Sequence, residues 1–242
     1  MCFSAAASFT TGGLLLPVGI LCLRQARGAR RGYGPIASFP LLFGIQQIFE
    51  GLLWLSLGGN EAINGHTAAL GYLFFAYLLW PFFVPLSAWY VEREINRRRL
   101  FLLISLLGMA FGILLYLPLL LDHDALKFHV MRSSIVYEST LIFDAVMPDS
   151  LGRAIYAFLV VVPLMTSSVR EIRVFGVIVL ASMIVSALVF EYAFTSIWCL
   201  FAALNSIYIV HLIYGLSAAT DPDRLKPARS TVQTLKSWMS RI

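Results

Sequence analysis

Apolar and polar positions fall into long blocks along this chain, not into the short periods of a soluble fold. Runs of about 17–25 mostly apolar residues are long enough to cross a hydrocarbon layer as a helix. Such runs recur at 5–23, 35–57, 68–90, 100–121, 151–167, 174–190 and 194–217. They predict an all-α integral membrane protein, a seven-transmembrane-helix bundle. Pro17, Pro40, Pro81, Pro85, Pro118 and Pro163 lie inside the runs. A membrane helix tolerates proline where neighbouring helices satisfy the freed carbonyls.

The connection 122–150 is the one long interruption. Within it, KFHVMRSSIVYESTLIF is rich in β-branched and aromatic residues around Arg132-Ser133-Ser134. That composition predicts a short β-hairpin in a structured loop. After the last run, the basic tail 221–242 places Val232, Leu235, Trp238, Met239 and Ile242 at helical spacing, the pattern of an amphipathic helix lying on a membrane surface. The expected organisation is a membrane domain over 1–220 followed by this tail.

Charge adds a direction. Threading seven spans puts Arg24, Arg27, Arg30 and Arg31 on the same side as Arg93, Arg97, Arg98 and Arg99. Arg170, Arg173 and the tail residues Arg224, Lys226, Arg229, Lys236 and Arg241 fall there too. Only Lys127, Arg132 and Arg153 fall on the other side. Basic residues are retained in the cytoplasm, so the N-terminus is expected outside, the C-terminus inside and the hairpin outside. Composition agrees, with 59% hydrophobic and 13% charged residues, against about 25% charged in soluble domains. The net charge of +5 belongs to these loops, so the expected partner is the lipid bilayer and not nucleic acid. Three cysteines are too few for a disulfide framework. Met1–Leu23 carries no Lys or Arg, unlike a secretory signal.

Candidate chemistry gathers in the outer half. FGIQQIFEGLLW places Gln46, Gln47, Glu50 and Trp54 on one helix face. Glu50 is the only acid well inside a run, about 10 Å from the outer end at 1.5 Å per residue. A charge at the bilayer centre costs at least about 2.5–3.5 kcal/mol. Glu50 is therefore expected to be protonated, paired or facing a wet cavity. One reading makes it the floor of an outward-facing polar pocket with Gln46, Gln47, Trp54, Tyr137, Glu191 and Trp198. Such a pocket would take a small ligand or metal ion, as in a sensor, binding protein or small transporter. The other reading is a polar bond between helices.

Cys2, His129 and Cys199 also belong to the outer half. Thiolate with imidazole suits zinc or another borderline-soft transition metal. The same residues admit a Cys2–Cys199 disulfide, a Cys2 that only packs, or a nucleophile with His129 as base. A membrane-embedded enzyme using Cys2, Cys199 and Glu50 is the alternative to a binding protein. His66 and His123 are expected in solvated outer turns and His211 in the core. A retinal protein needs a lysine within a span, and Lys127, Lys226 and Lys236 all lie outside them. Zinc hydrolases built on several intramembrane histidines are disfavoured, because His211 alone lies in a span.

Three stretches carry a resemblance: Met1-Cys2-Phe3-Ser4-Ala5, then PLLFGIQQIFEGLLW, then SIWCLFAA with Trp198 and Cys199. The chain resembles a family of bacterial multi-pass membrane proteins of unknown function whose members begin Met-Cys-Phe-Ser-Ala. The resemblance runs to about Ser217. It implies a bacterial inner-membrane setting and marks Cys2, Glu50, Trp54, Trp198 and Cys199 as characteristic; it implies no activity or cofactor.

Elemental analysis with thiol counting separates the readings of Cys2. A near-stoichiometric metal lost in Cys2→Ser and Cys199→Ser identifies ligands. One free thiol and no metal identifies a disulfide. Three free thiols and no metal leave Cys2 as packing or a bare nucleophile.

Overall fold

Ser4 starts the first helix. Its hydroxyl accepts the Ala7 N–H at 3.2 Å, satisfying one of the orphan donors at a helix N-terminus. In this computed structural model, residues 4–28, 32–131, 134–139, 149–189 and 194–220 are described. The helices are α1 (Ala5–Ala26), α2 (Gly34–Ala37), α3 (Phe39–Leu57), α4 (Gly65–Leu73), α5 (Trp80–Val91), α6 (Ile95–Leu121), α7 (Asp149–Thr166), α8 (Arg170–Val189) and α9 (Phe194–Thr220). A π-helical stretch, Phe74–Leu79, joins α4 to α5 into one continuous span. Among the described residues, six segments are long and apolar enough to cross a membrane: α1, α2–α3, α4–α5, α6, α8 and α9. Ser150–Thr166 is a shorter apolar helix. Several long apolar helices mark a multi-pass membrane protein. α6 begins before the apolar run at 100 because its first turns are Ile95-Asn96-Arg97-Arg98-Arg99. Hydropathy reports the hydrocarbon crossing, and the helix continues into the charged layer.

Helix α1 buries a stripe of Ser8, Gly12, Leu15, Gly19 and Cys22, mostly small side chains at alternating spacings of four and three. This stripe lets α1 approach α3 closely. A Cβ at Gly19 would stand 2.4 Å from the Leu41 nitrogen, and one at Gly12 would stand 3.0 Å from the Gly44 carbonyl oxygen. Small residues are what allow helix backbones to meet in a membrane, where lipid tails compete equally for apolar contact.

The α4–α5 span is broken by proline, and its neighbours repair it. Pro81 and Pro85 have no N–H, so the carbonyls a turn earlier lose their partners. Tyr156 of α7 donates its hydroxyl to the Ala76 carbonyl at 2.6 Å. From α6, Ser105 donates to the Phe82 carbonyl at 2.9 Å, next to the Pro81 carbonyl that Pro85 leaves free. Gly112 and Gly108 bring their Cα atoms onto the Tyr77 and Pro81 carbonyls; a Cβ at Gly108 would be 2.0 Å from the Pro81 oxygen. The Gly-xxx-Gly spacing of α6 thus matches the proline spacing of α5.

The expected hairpin is present. β1 (Leu126–Met131) pairs antiparallel with β2 (Ser134–Ser139), Phe128 opposite Tyr137 and His129 opposite Val136. Leu126 and Ile135 sink into a cluster with Leu53, Tyr72, Leu119 and Cys199, and Tyr137 stacks on Tyr72 with centroids 5.1 Å apart. The hairpin is therefore packed onto one end of the bundle.

A buried acid organises the opposite end. Glu92, 5% exposed, follows α5 and grips the turn between α7 and α8. It accepts from the Ser167 hydroxyl at 2.9 Å, the Ser168 N–H at 2.8 Å and the Ser168 hydroxyl. Nearer in sequence it accepts the Arg93 and Glu94 N–H groups at 2.9 and 3.0 Å. Arg173 donates to the Ser167 carbonyl at 2.8 Å, and Arg97 donates to the Thr166 carbonyl. Burial pushes the Glu92 carboxyl up, but the hydrogen bonds from Ser168, Glu94 and Ser167 outweigh it and bring the pKa down to about 2 from an ordinary 4.5.

That depression sets a pH dependence. The folded value lies below the unfolded one, so the stabilisation is complete above about pH 4.5 and is lost as pH falls through about 2. Unfolding in detergent should show this acid limb. Glu92→Gln should lower stability at pH 7 by about 1–3 kcal/mol and flatten the limb. An unchanged pH profile in Glu92→Gln would assign the acid limb to other groups.

Candidate functional site

Helix α3 carries its polar face into the interior. Gln46, Gln47 and Glu50 are each 0% exposed. Glu50 lies seven residues before the end of α3, about 10 Å below it. Its carboxyl is held from two other helices. The Ser196 hydroxyl, in the first turn of α9, donates to Oε1 at 2.6 Å, and the Ser8 hydroxyl of α1 donates to Oε2 at 3.3 Å. One acid thus ties together α1, α3 and α9.

Gln46 lies one turn earlier on the same helix. The Trp80 indole N–H donates to its Oε1 at 2.8 Å, which fixes the amide's orientation. Its Nε2 has no hydrogen-bond partner among the described residues. The same holds for Gln47 Nε2 and Oε1, Trp54 Nε1 and Trp198 Nε1. In an apolar medium each such group costs on the order of 2–7 kcal/mol, depending on the reference state.

Cys199 is 5% exposed, has no disulfide partner among the described residues, and lies against the side chains of Gln46 and Tyr72. Tyr72 donates to the Thr195 carbonyl at 3.4 Å. Tyr72 also stacks on Tyr137, so the hairpin, α4 and α9 meet beside the polar face of α3. Trp198 packs edge-on against Tyr156, centroids 5.2 Å apart. Below the polar face lies an apolar cavity of about 30 Å³, bounded by Phe39, Phe43, Trp80, Tyr156, Trp198 and Cys199 among others. It has the size of a water, but its walls offer almost no polar surface to hold one.

The anticipated residues separate into groups. Gln46, Gln47, Glu50, Trp54, Trp198 and Cys199 share the interior, with Tyr137 at its edge on the hairpin. His129 does not join them. Alternation along β1 turns it to the outer face, where it is 3.8 Å from Glu138 with both side chains exposed. Cys2, Glu191 and the tail 221–242 lie outside the described residues. Among the described residues no three His, Cys, Asp or Glu side chains come together to hold a metal ion. His123 is exposed and His66 half-buried, and their rings stack 3.7 Å apart. His211 is exposed on α9, not in the core, because it lies off the face that carries Leu212 and Ile213.

Sequence reasoning missed Ser8, Ser196, Tyr72 and Trp80. Ser8 had a signal, since it continues the small-residue stripe of α1. Ser196 had none, being one of several hydroxyls in the apolar runs.

The model of a family of unknown function (DUF6629) matches residues 1–224. No curated protein and no solved structure matches the chain.

Removing the two hydroxyls tests the geometry around Glu50. Ser196→Ala deprives Oε1 of a 2.6 Å donor and should destabilise the bundle by about 1–3 kcal/mol. Ser8→Ala, acting on a 3.3 Å bond, should do less. Unfolding of both variants in the same detergent checks the order; the reverse order would contradict this site.

Proposed function

The chain belongs to this family of unknown function, and we propose that it is a seven-span bacterial inner-membrane protein that binds a small, acceptor-rich polar molecule in the outer half of its bundle. On this reading α7 is the seventh crossing. Its 18 residues rise about 27 Å, close to the hydrocarbon thickness of about 30 Å. Seven crossings put the arginine clusters together in the cytoplasm and the N-terminus and hairpin outside.

The observation that carries the binding site is the burial of Gln46 and Gln47 with unpartnered amide groups beside Glu50. A residue retained in that state inside a membrane bundle has a use for the groups left over. Among the described residues around Glu50, the unpartnered atoms include the donors Gln46 Nε2, Gln47 Nε2, Trp54 Nε1 and Trp198 Nε1 and the acceptor Gln47 Oε1. A ligand offering oxygen or nitrogen lone pairs complements that set, and a cation does not. A zinc site built on Cys199 and His129 is less favoured, because His129 faces away on the outer surface of β1. The hairpin lies over this region through Tyr137 and Ile135, so it serves as a lid that lifts for the ligand to enter.

Gln47→Leu and Glu50→Gln test this reading. If Gln47 only packs, Gln47→Leu removes two unsatisfied groups and should raise stability by about 1–3 kcal/mol. If it binds, native mass spectrometry of wild type purified from its own membranes should show a retained small molecule that both variants lose. Identical spectra for all three proteins, with a more stable Gln47→Leu, would make the polar face structural.

A further inference from the structure

The turn between α5 and α6 carries Arg93, Arg97, Arg98 and Arg99 within seven residues. Among the described residues, only Arg97 of these has a carboxylate partner, Glu94. Glu92 is already engaged by Ser167 and Ser168. Among the described residues, no acid lies within ion-pair distance of Arg93, Arg98 or Arg99, all of them exposed. Among the described residues, three guanidinium groups thus stand without an ion-pair partner where two apolar helices end.

Aromatic residues fix their level. Trp89 and Tyr90 close α5, ring centroids 4.8 Å apart, and Tyr90 is 47% exposed. Aromatic rings of this kind settle at the headgroup layer. The Arg98 guanidinium lies over the Trp89 ring, 4.4 Å from its centroid, so its orientation is held before any partner arrives. Gly32, two residues before α2, lies against this corner. Its φ of 98° is open to glycine, and a Cβ there would stand 2.6 Å from the Tyr90 carbonyl oxygen.

We propose that the α5–α6 turn binds the phosphate headgroup of an anionic phospholipid from the leaflet at this end of the bundle. Arginine matches a phosphate diester because its planar fork donates two parallel hydrogen bonds. The neighbouring apolar face supports the same partner. Leu100, Leu103, Leu106 and Leu107 run along α6 from the arginines with about half of their surface exposed, a track for the acyl chains. Nucleic acid or an acidic protein would meet the charge and leave that track uncovered.

The full-length chain, purified and loaded with phosphatidylglycerol or phosphatidylcholine in mixed micelles, provides the test. Native mass spectrometry should show phosphatidylglycerol retained in preference to phosphatidylcholine, with retention falling as salt rises. Arg98→Gln should weaken phosphatidylglycerol retention about fivefold, and Arg93→Gln/Arg98→Gln/Arg99→Gln by about a hundredfold. Phosphatidylcholine, whose choline cation offsets the same phosphate, should lose less retention than phosphatidylglycerol in each variant. Arg24→Gln/Arg27→Gln, at the end of α1, should leave the preference in place. Arg98→Gln changes one exposed side chain, so it reads the site even if the triple variant does not fold. No preference for phosphatidylglycerol, no loss in Arg98→Gln, or an equal loss in Arg24→Gln/Arg27→Gln would overturn the proposal. The binding reading at Glu50 is unaffected by any of these results.

Discussion

A polar atom carried into hydrocarbon has to find its partner within the protein, because no water is there to supply one. The rest of this fold follows from that constraint. It acts most visibly on the α4–α5 span, where Pro81 and Pro85 release carbonyls in the middle of the bundle. Tyr156 reaches one of them with a hydroxyl, and Gly108 and Gly112 bring α6 onto two others. The prolines thereby choose the neighbours of the span: a helix with larger residues at 108 and 112 could not come close enough.

The same constraint places α1. Its small-residue stripe meets α3 at near-contact of the two backbones, and Ser8 in that stripe reaches the Glu50 carboxyl. Ser196 reaches it from α9, so the acid joins three helices that are remote in sequence. At the arginine-rich end Glu92 works similarly, drawing the α7–α8 turn onto the end of α5 with its own set of hydroxyl and N–H donors. Among the described residues, each end of the bundle has a buried carboxyl as a tie point. The two differ in what surrounds them. Glu92 is enclosed by donors that complete it, whereas Glu50 sits beside amide and indole groups left over. The first arrangement is that of a structural clasp, and the second carries the proposed binding reading.

The hairpin adds a layer to the second end. Ile135 and Leu126 enter the core while His129 and Glu138 face outward, a division imposed by the two-residue period of a strand. Tyr137 and Tyr72 then connect the hairpin to Cys199 and Gln46 through stacked rings.

Helix placement, the hairpin and the clustering of arginine were legible in the sequence. Hydropathy, strand propensity and charge are properties of consecutive residues, and each accumulates along the chain without reference to what lies across the bundle. Glu50 as the central acid was legible for the same reason, since an acid in an apolar run stands out by itself. Its partners were not. Ser8 is 42 positions away and Ser196 is 146, and nothing local distinguishes them from other small hydroxyls. The separation of His129 from Cys199 was likewise hidden, because strand register and the way the hairpin seats on the bundle decide which face turns inward. The sequence by itself determined that this chain enters a membrane and where its acid lies. Only the tertiary structure decided which groups meet that acid, because a hydrogen bond reads distance in space and the helices fold remote positions together.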